Sequence, residues 1–144
     1  MAGTSGGRRR EARAMTVQLN HTIVHARDAE VSARFLCEML GVGTPRPFGP
    51  FIVVELANGV SLDFLTTGPE WELMVEHYAF LVTEPEFDEI FGRIEARGIA
   101  YFADPHNLEA GQINHHDGGR GVYWRDPDDH MLEIITVPYG GWPS

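Results

Sequence analysis

The chain has one cysteine, no apolar run approaching the ~20 residues of a membrane-spanning helix, and few cations. Cys37 alone cannot form an internal disulfide, which fits a reducing cytoplasm. Without an apolar span, a membrane-crossing helix is excluded, and no membrane partner is expected. Lys and Arg number 11 against 21 Asp and Glu, a net charge of −10. The deficit deepens once residues 1–15 are set aside. They hold Arg8, Arg9, Arg10 and Arg13 against Glu11, a net of +3, which leaves the remainder at −13. A body that acidic repels phosphate backbones and excludes nucleic acid as a partner. Met1 to Ala14 is rich in Gly, Ser and Arg and lacks the apolar core of a secretory signal, so residues 1–15 are expected to form a disordered basic tail.

What remains is enough for one domain with a core of its own: 144 residues, 43% of the chain hydrophobic. Its most informative stretch is Gly121 to Val137. This reads as a strand, a tight turn on Asp126-Pro127-Asp128-Asp129, and a second strand from His130. Alternation in that second strand puts Glu133 inside an apolar segment. An ionised carboxylate there needs a cation or hydrogen-bond donors to offset its desolvation.

The partner is suggested by an internal repeat. His77 lies 56 residues before Glu133, and His21 lies 56 before His77. Each histidine opens a strand-like run that leads into an amphipathic helix ending at a glycine, Gly41 or Gly98. Ser61-Leu-Asp-Phe-Leu-Thr66 matches Met131-Leu-Glu-Ile-Ile-Thr136 in kind, which makes Asp63 the counterpart of Glu133.

In chain order, the first strand is expected over about Val17 to Ala26, followed by a helix capped by Asp28 with a Val31, Phe35, Met39 stripe. Cys37, with no histidine a helical turn away, reads as a packing residue. Thr44 to Pro50 is too proline-rich for regular structure. Asn58-Gly59 marks a hairpin between Phe51–Leu56 and Val60–Leu65. Residues 67–75 connect the repeats. Thr83-Glu-Pro-Glu86 is a capping box that starts a helix carrying Phe87, Ile90, Phe91 and Ile94. A short strand over Ile99–Phe102 precedes a long polar loop, Ala103 to Gly119, with His115 and His116 as lid acid/base candidates.

This order of elements resembles the vicinal oxygen chelate superfamily, which includes glyoxalases, extradiol dioxygenases, fosfomycin-resistance transferases and bleomycin-resistance proteins. The resemblance rests on Leu19-Asn-His21, the Phe35-to-Gly41 helix end, His77, and above all Tyr123-Trp-Arg-Asp-Pro-Asp-Asp-His-Met-Leu-Glu133. The last segment departs from the usual pattern in having Asp129 where glycine is typical. The resemblance implies an α+β fold of two βαβββ modules forming a curved, barrel-like mixed sheet around a central cavity, with helices outside. The domain would span 16–138 (modules about 16–66 and 73–138), leaving 139–144 as a C-terminal tail.

The same resemblance implies that His21, His77 and Glu133 bind one divalent transition metal (Ni, Co, Mn, Zn or Fe(II)). Asp63 would be a fourth contributor, and Tyr123 a donor to a substrate oxyanion. Two imidazoles and a carboxylate suit such an ion and leave positions open for substrate oxygens. The implied activity is glyoxalase- or epimerase-like proton transfer on a small molecule with adjacent oxygens. One alternative is an extradiol-type Fe(II) dioxygenase, favoured if Asp63 stays out of the site. The other is a bleomycin-resistance-like sequestering protein without catalysis. A cytoplasmic homodimer is expected, as for small relatives of this size.

Overall fold

The computed structural model describes residues 16–141; the basic tail expected at 1–15 lies outside them, as do residues 142–144. The first module runs β1 (His21–Ala26), α1 (Ala29–Leu40), β2 (Arg46–Phe48), β3 (Phe51–Glu55) and β4 (Ser61–Thr66). The second runs β5 (His77–Leu81), α2 (Glu84–Ala96), β6 (Tyr101–Phe102), β7 (Gly121–Arg125) and β8 (Met131–Ile135).

Local chemistry sets the helix ends. The Asp28 side chain accepts from the Glu30 and Val31 amides, and Gly41 takes the left-handed conformation that stops α1 (φ 69°). Thr83 and Glu86 form the reciprocal capping box of α2, with Pro85 in its first turn. Phe87, Ile90 and Ile94 are buried as the periodicity requires. In α1 the buried face is rotated from the expected stripe. Ala29, Ala33, Leu36, Cys37 and Met39 pack inward while Val31 is exposed, because the two alanines let the helix approach its sheet closely. Pro-rich Arg46–Phe48 forms a short strand after all. It lies at a sheet edge and pairs only with β3, where the missing proline amide costs no ladder bond.

Each module is a mixed four-stranded sheet, ordered β1-β4-β3-β2 in the first and β5-β8-β7-β6 in the second. The parallel pairs have the same register: His21 opposes Ser61 and Ile23 opposes Asp63, just as His77 opposes Met131 and Ala79 opposes Glu133. One face of each sheet packs on its helix through Val24, Leu62 and Phe64, or through Phe80, Trp124, Leu132 and Ile134.

The expected barrel-like sheet is not formed. Closing a sheet requires every edge strand to find a partner. Here β1 and β5, the strands carrying the histidines, both end their sheets, and among the described residues no ladder joins one module to the other. The modules meet instead through α1 against α2 and through side-chain bonds. Arg93 donates to the Met39 carbonyl (3.1 Å) and Arg97 pairs with Glu38 (3.1 Å). Ser32 Oγ donates to Asp128 (2.9 Å) and the Arg27 amide to the same carboxylate (3.3 Å). The other face of each sheet is left open instead of enclosing a central cavity: Ile23 is 41% exposed and Leu81 51%. No helix among the described residues is long and apolar enough to cross a membrane.

Candidate functional site

The residues singled out above fall into two separate places. His77 and Glu133 come together. The parallel pairing of β5 with β8 sets Glu133 beside Ala79, two residues beyond His77 on the same face, and Nε2 of His77 lies 3.1 Å from Glu133 Oε1. Glu133 is only 1% exposed. Nδ1 of His77 lies 3.1 Å from the carbonyl oxygen of Met131. A carbonyl only accepts, so that ring nitrogen carries a proton. In neutral His77 the Nε2 lone pair would then face the carboxylate directly. A lone pair facing a carboxylate in this way is a donor arrangement that a cation would complement. Among this chain's residues, that donor chemistry fits two ligand positions of a divalent transition ion.

Two tyrosines complete this cluster. Tyr139 donates its hydroxyl to Glu133 Oε1 at 2.6 Å, and the Tyr123 and Tyr139 hydroxyls are 3.5 Å apart. The Tyr123 ring stacks on His77, with centroids 5.9 Å apart. Burial, then the hydrogen bond with Tyr139 and the neighbouring Glu133 carboxylate, raise the Tyr123 pKa far above its usual value. Tyr139 is raised as well, by burial first and by its bond to Glu133 second.

His21 and Asp63 are elsewhere, on the first sheet. Nδ1 of His21 is 2.8 Å from the Asn20 side-chain oxygen, and Asp63 accepts from Ser61 Oγ at 2.8 Å. Although His21 and Asp63 share a face in the register of His77 and Glu133, they are not hydrogen-bonded to each other. Aspartate is one methylene shorter, and each group has a nearer partner. Among the described residues no three His, Cys, Asp or Glu side chains come close enough to hold one ion, so His21 is not delivered to His77 and Glu133 within a single chain.

The lid candidates His115 and His116 are exposed in a loop tied to the C-terminal turn, where Asp117 accepts from the Gly140 amide (3.1 Å). His25 is also exposed, and its carbonyl oxygen has a structural use. The buried ring of His130 donates from Nε2 to that oxygen (2.7 Å), while its Nδ1 accepts from the Glu76 amide (2.9 Å). His130 therefore joins the second module to the first and also fastens the segment just before β5. A cavity of about 550 Å³ opens beside His25, lined in part by Leu65, Trp71, Met74 and Glu76, and it does not include Glu133.

Sequence reasoning missed Tyr139 and His130. Tyr139 falls within the expected tail at 139–144, because no periodicity continues past Val137. The only signal was the glycine pair after it, which permits the chain to turn back.

No protein-family model matches the chain, and neither does any curated protein. Solved structures do. Oxidase ChaP-H1 is 60% identical, with 87% of this chain and 99% of that one aligned at a TM-score of 0.83. Oxidase ChaP-H2 is 56% identical, over 89% of this chain and 100% of that one, with a TM-score of 0.84. The fosfomycin resistance protein FosX from Mesorhizobium loti shares the fold at 21% identity, over 88% of this chain and 97% of that one, with a TM-score of 0.62.

Proposed function

From a chain that belongs to one family with the oxidases ChaP-H1 and ChaP-H2, and that shares its fold with glyoxalase- and fosfomycin-resistance-type proteins, we propose a metal-dependent oxidase of the vicinal oxygen chelate type acting on a small molecule with adjacent oxygens. The observation that carries this reading is the His77–Glu133 pair, a buried carboxylate facing an imidazole nitrogen whose ring partner is already committed to Met131. His77 Nε2 and Glu133 would hold the ion, and His21 would be the third ligand. When bound there, the ion supplies a Lewis acid for substrate oxygens and, if it is iron, a one-electron donor to dioxygen. Tyr123, whose pKa is pushed up, keeps its proton at neutral pH and serves as a hydrogen-bond donor to a developing oxyanion.

Asp63 decides between the oxidative reading and glyoxalase-like proton transfer. Its carboxylate is held by Ser61 on the first sheet, which supports a set of two histidines and one carboxylate over a four-residue site.

A second copy of the chain would bring His21 to the pair. The open faces of β1 and β5, with Ile23 and Leu81 exposed beside the histidines, support a homodimer in which one copy's first sheet faces the other's second sheet. Light scattering at micromolar concentration should give about twice 16.1 kDa, and a single-chain mass overturns the shared site. For the oxidase reading, protein reconstituted with Fe(II) under argon should consume oxygen only when iron and a catechol-type or other vicinally oxygenated substrate are both present, and His77→Ala should abolish that uptake. Turnover that proceeds unchanged without oxygen, with nickel or cobalt in place of iron, would restore the proton-transfer reading.

A further inference from the structure

We propose that Tyr139 is a positioning residue for the Glu133 carboxylate, delivered by a C-terminal strap that Asp117 fastens down. This rests on the reading that Glu133 is a metal ligand. After β8 the chain turns back on itself. The Gly141 amide donates to the Pro138 carbonyl (2.9 Å), and Gly140 and Gly141 both take positive φ (70° and 69°), a conformation that side-chain-bearing residues adopt at a cost. The turn returns the Tyr139 hydroxyl to Glu133, six residues earlier in the chain.

A second segment holds the turn in place. Asp117 accepts from the Gly140 amide, and Asp117 itself has φ 55°, uncommon for a residue other than glycine. The polar loop thus has an anchoring use that does not involve its exposed histidines.

The bond it delivers is strong for its type. An O–H donating to a carboxylate at 2.6 Å lies in the short, charge-assisted range. Tyr139 has one hydroxyl proton, which it donates to Glu133, so the Tyr139 oxygen is left to accept from Tyr123 at 3.5 Å. Tyr123 in turn stacks on His77. One connected set of side chains therefore flanks both members of the ligand pair. With Oε1 fixed by a donor, the carboxylate cannot rotate freely, and its orientation is set before an ion arrives. Outer hydrogen bonds of this kind orient ligands and tune affinity. Tyr139 remains 52% exposed while its hydroxyl reaches Glu133.

The test is cobalt(II) titration of the full chain, followed by visible absorption and by apo melting temperature. Tyr139→Phe keeps the ring and removes only the hydroxyl. It should weaken cobalt binding by about 10- to 100-fold and shift the cobalt absorption envelope. Asp117→Ala, which frees the strap, should weaken binding in the same direction. Asp117→Asn, whose amide oxygen still accepts from Gly140, should bind as the unmodified chain does. A lower melting temperature with unchanged cobalt affinity in Tyr139→Phe would make the tyrosine merely structural and overturn the proposal. Glu133→Gln separates the two levels. If it loses cobalt while Tyr139→Phe does not, only the positioning role fails; if it binds cobalt normally, the metal reading fails and the positioning role with it.

Discussion

The two modules share topology, register and strand faces, yet only the second builds a cluster. In both, a histidine opens the first strand and a carboxylate lies two residues further along the same face of the last. In the second module the carboxylate is a glutamate, long enough to reach His77, and it is covered by Tyr139 and flanked by Tyr123. The first module has an aspartate that Ser61 captures and a histidine that Asn20 holds, and among the described residues no aromatic ring pairs with that histidine as Tyr123 does with His77. One methylene and two local hydrogen-bond partners therefore separate a buried pair from two independent polar groups. A duplicated backbone reproduces positions, but side-chain reach and competing partners decide which positions become a site.

If the second module carries the ion, disabling its carboxylate should have the largest effect. Glu133→Gln removes a charged ligand, and metal affinity should fall by more than the ~10- to 100-fold typical of supporting groups, whereas Asp63→Asn should fall within or below that range. Competitive titration with a chromophoric chelator measures both. Equal losses would break the distinction between the modules.

A smaller effect concerns how the modules are held together. Asp128 bonds the Arg27 amide and Ser32 hydroxyl, both in the first module, from the turn between β7 and β8. Asp128→Ala should lower unfolding free energy by about 1–3 kcal/mol, the usual cost of leaving a buried donor, here the Ser32 hydroxyl, unsatisfied. Chemical denaturation measures it. An unchanged midpoint would show that Asp128 contributes nothing to holding the modules together.

The comparison can also be sharpened by making the first module resemble the second. Ser61→Ala with Asp63→Glu frees and lengthens the carboxylate, and should tighten cobalt binding by up to about tenfold, worth ~1.4 kcal/mol. No change in cobalt affinity would mean that Asp63 lies too far from the ion to matter.

The smallest effect is alkaline. Tyr78, Tyr123 and Tyr139 all have pKa values raised above 10.0, with burial the first cause in each. Folded, they keep their protons where the unfolded chain has begun to lose them. Stability from these groups is thus fully present below pH ~10 and declines as pH rises beyond it. Phenolate absorbance of the folded protein should lag that of the denatured chain, and lag less in Tyr139→Phe. Coincident titration curves would remove the argument that Tyr123 acts as a donor.

Residue spacing alone located His77, Glu133, their equivalence to His21 and Asp63, and the helix caps, because each depends on short-range chemistry or on a strand alternation that has only two faces. The equivalence of Asp63 and Glu133 on the backbone was likewise legible in the repeat, and the β1–β4 and β5–β8 registers match it. Three features lay beyond the sequence. The sheets remain separate because the choice between edge pairing and helix packing depends on how two modules dock, and no local pattern encodes that. Asp63 bonds to Ser61 because hydrogen-bond partners are chosen by distance in three dimensions, and one methylene is decisive there. Tyr139 reaches Glu133 because two glycines turn the chain end back and Asp117, 23 residues earlier, fastens it. The sequence determined which side chains share a face; only the tertiary structure decided which of them meet, since contact depends on docking and reach, while facing depends on periodicity alone.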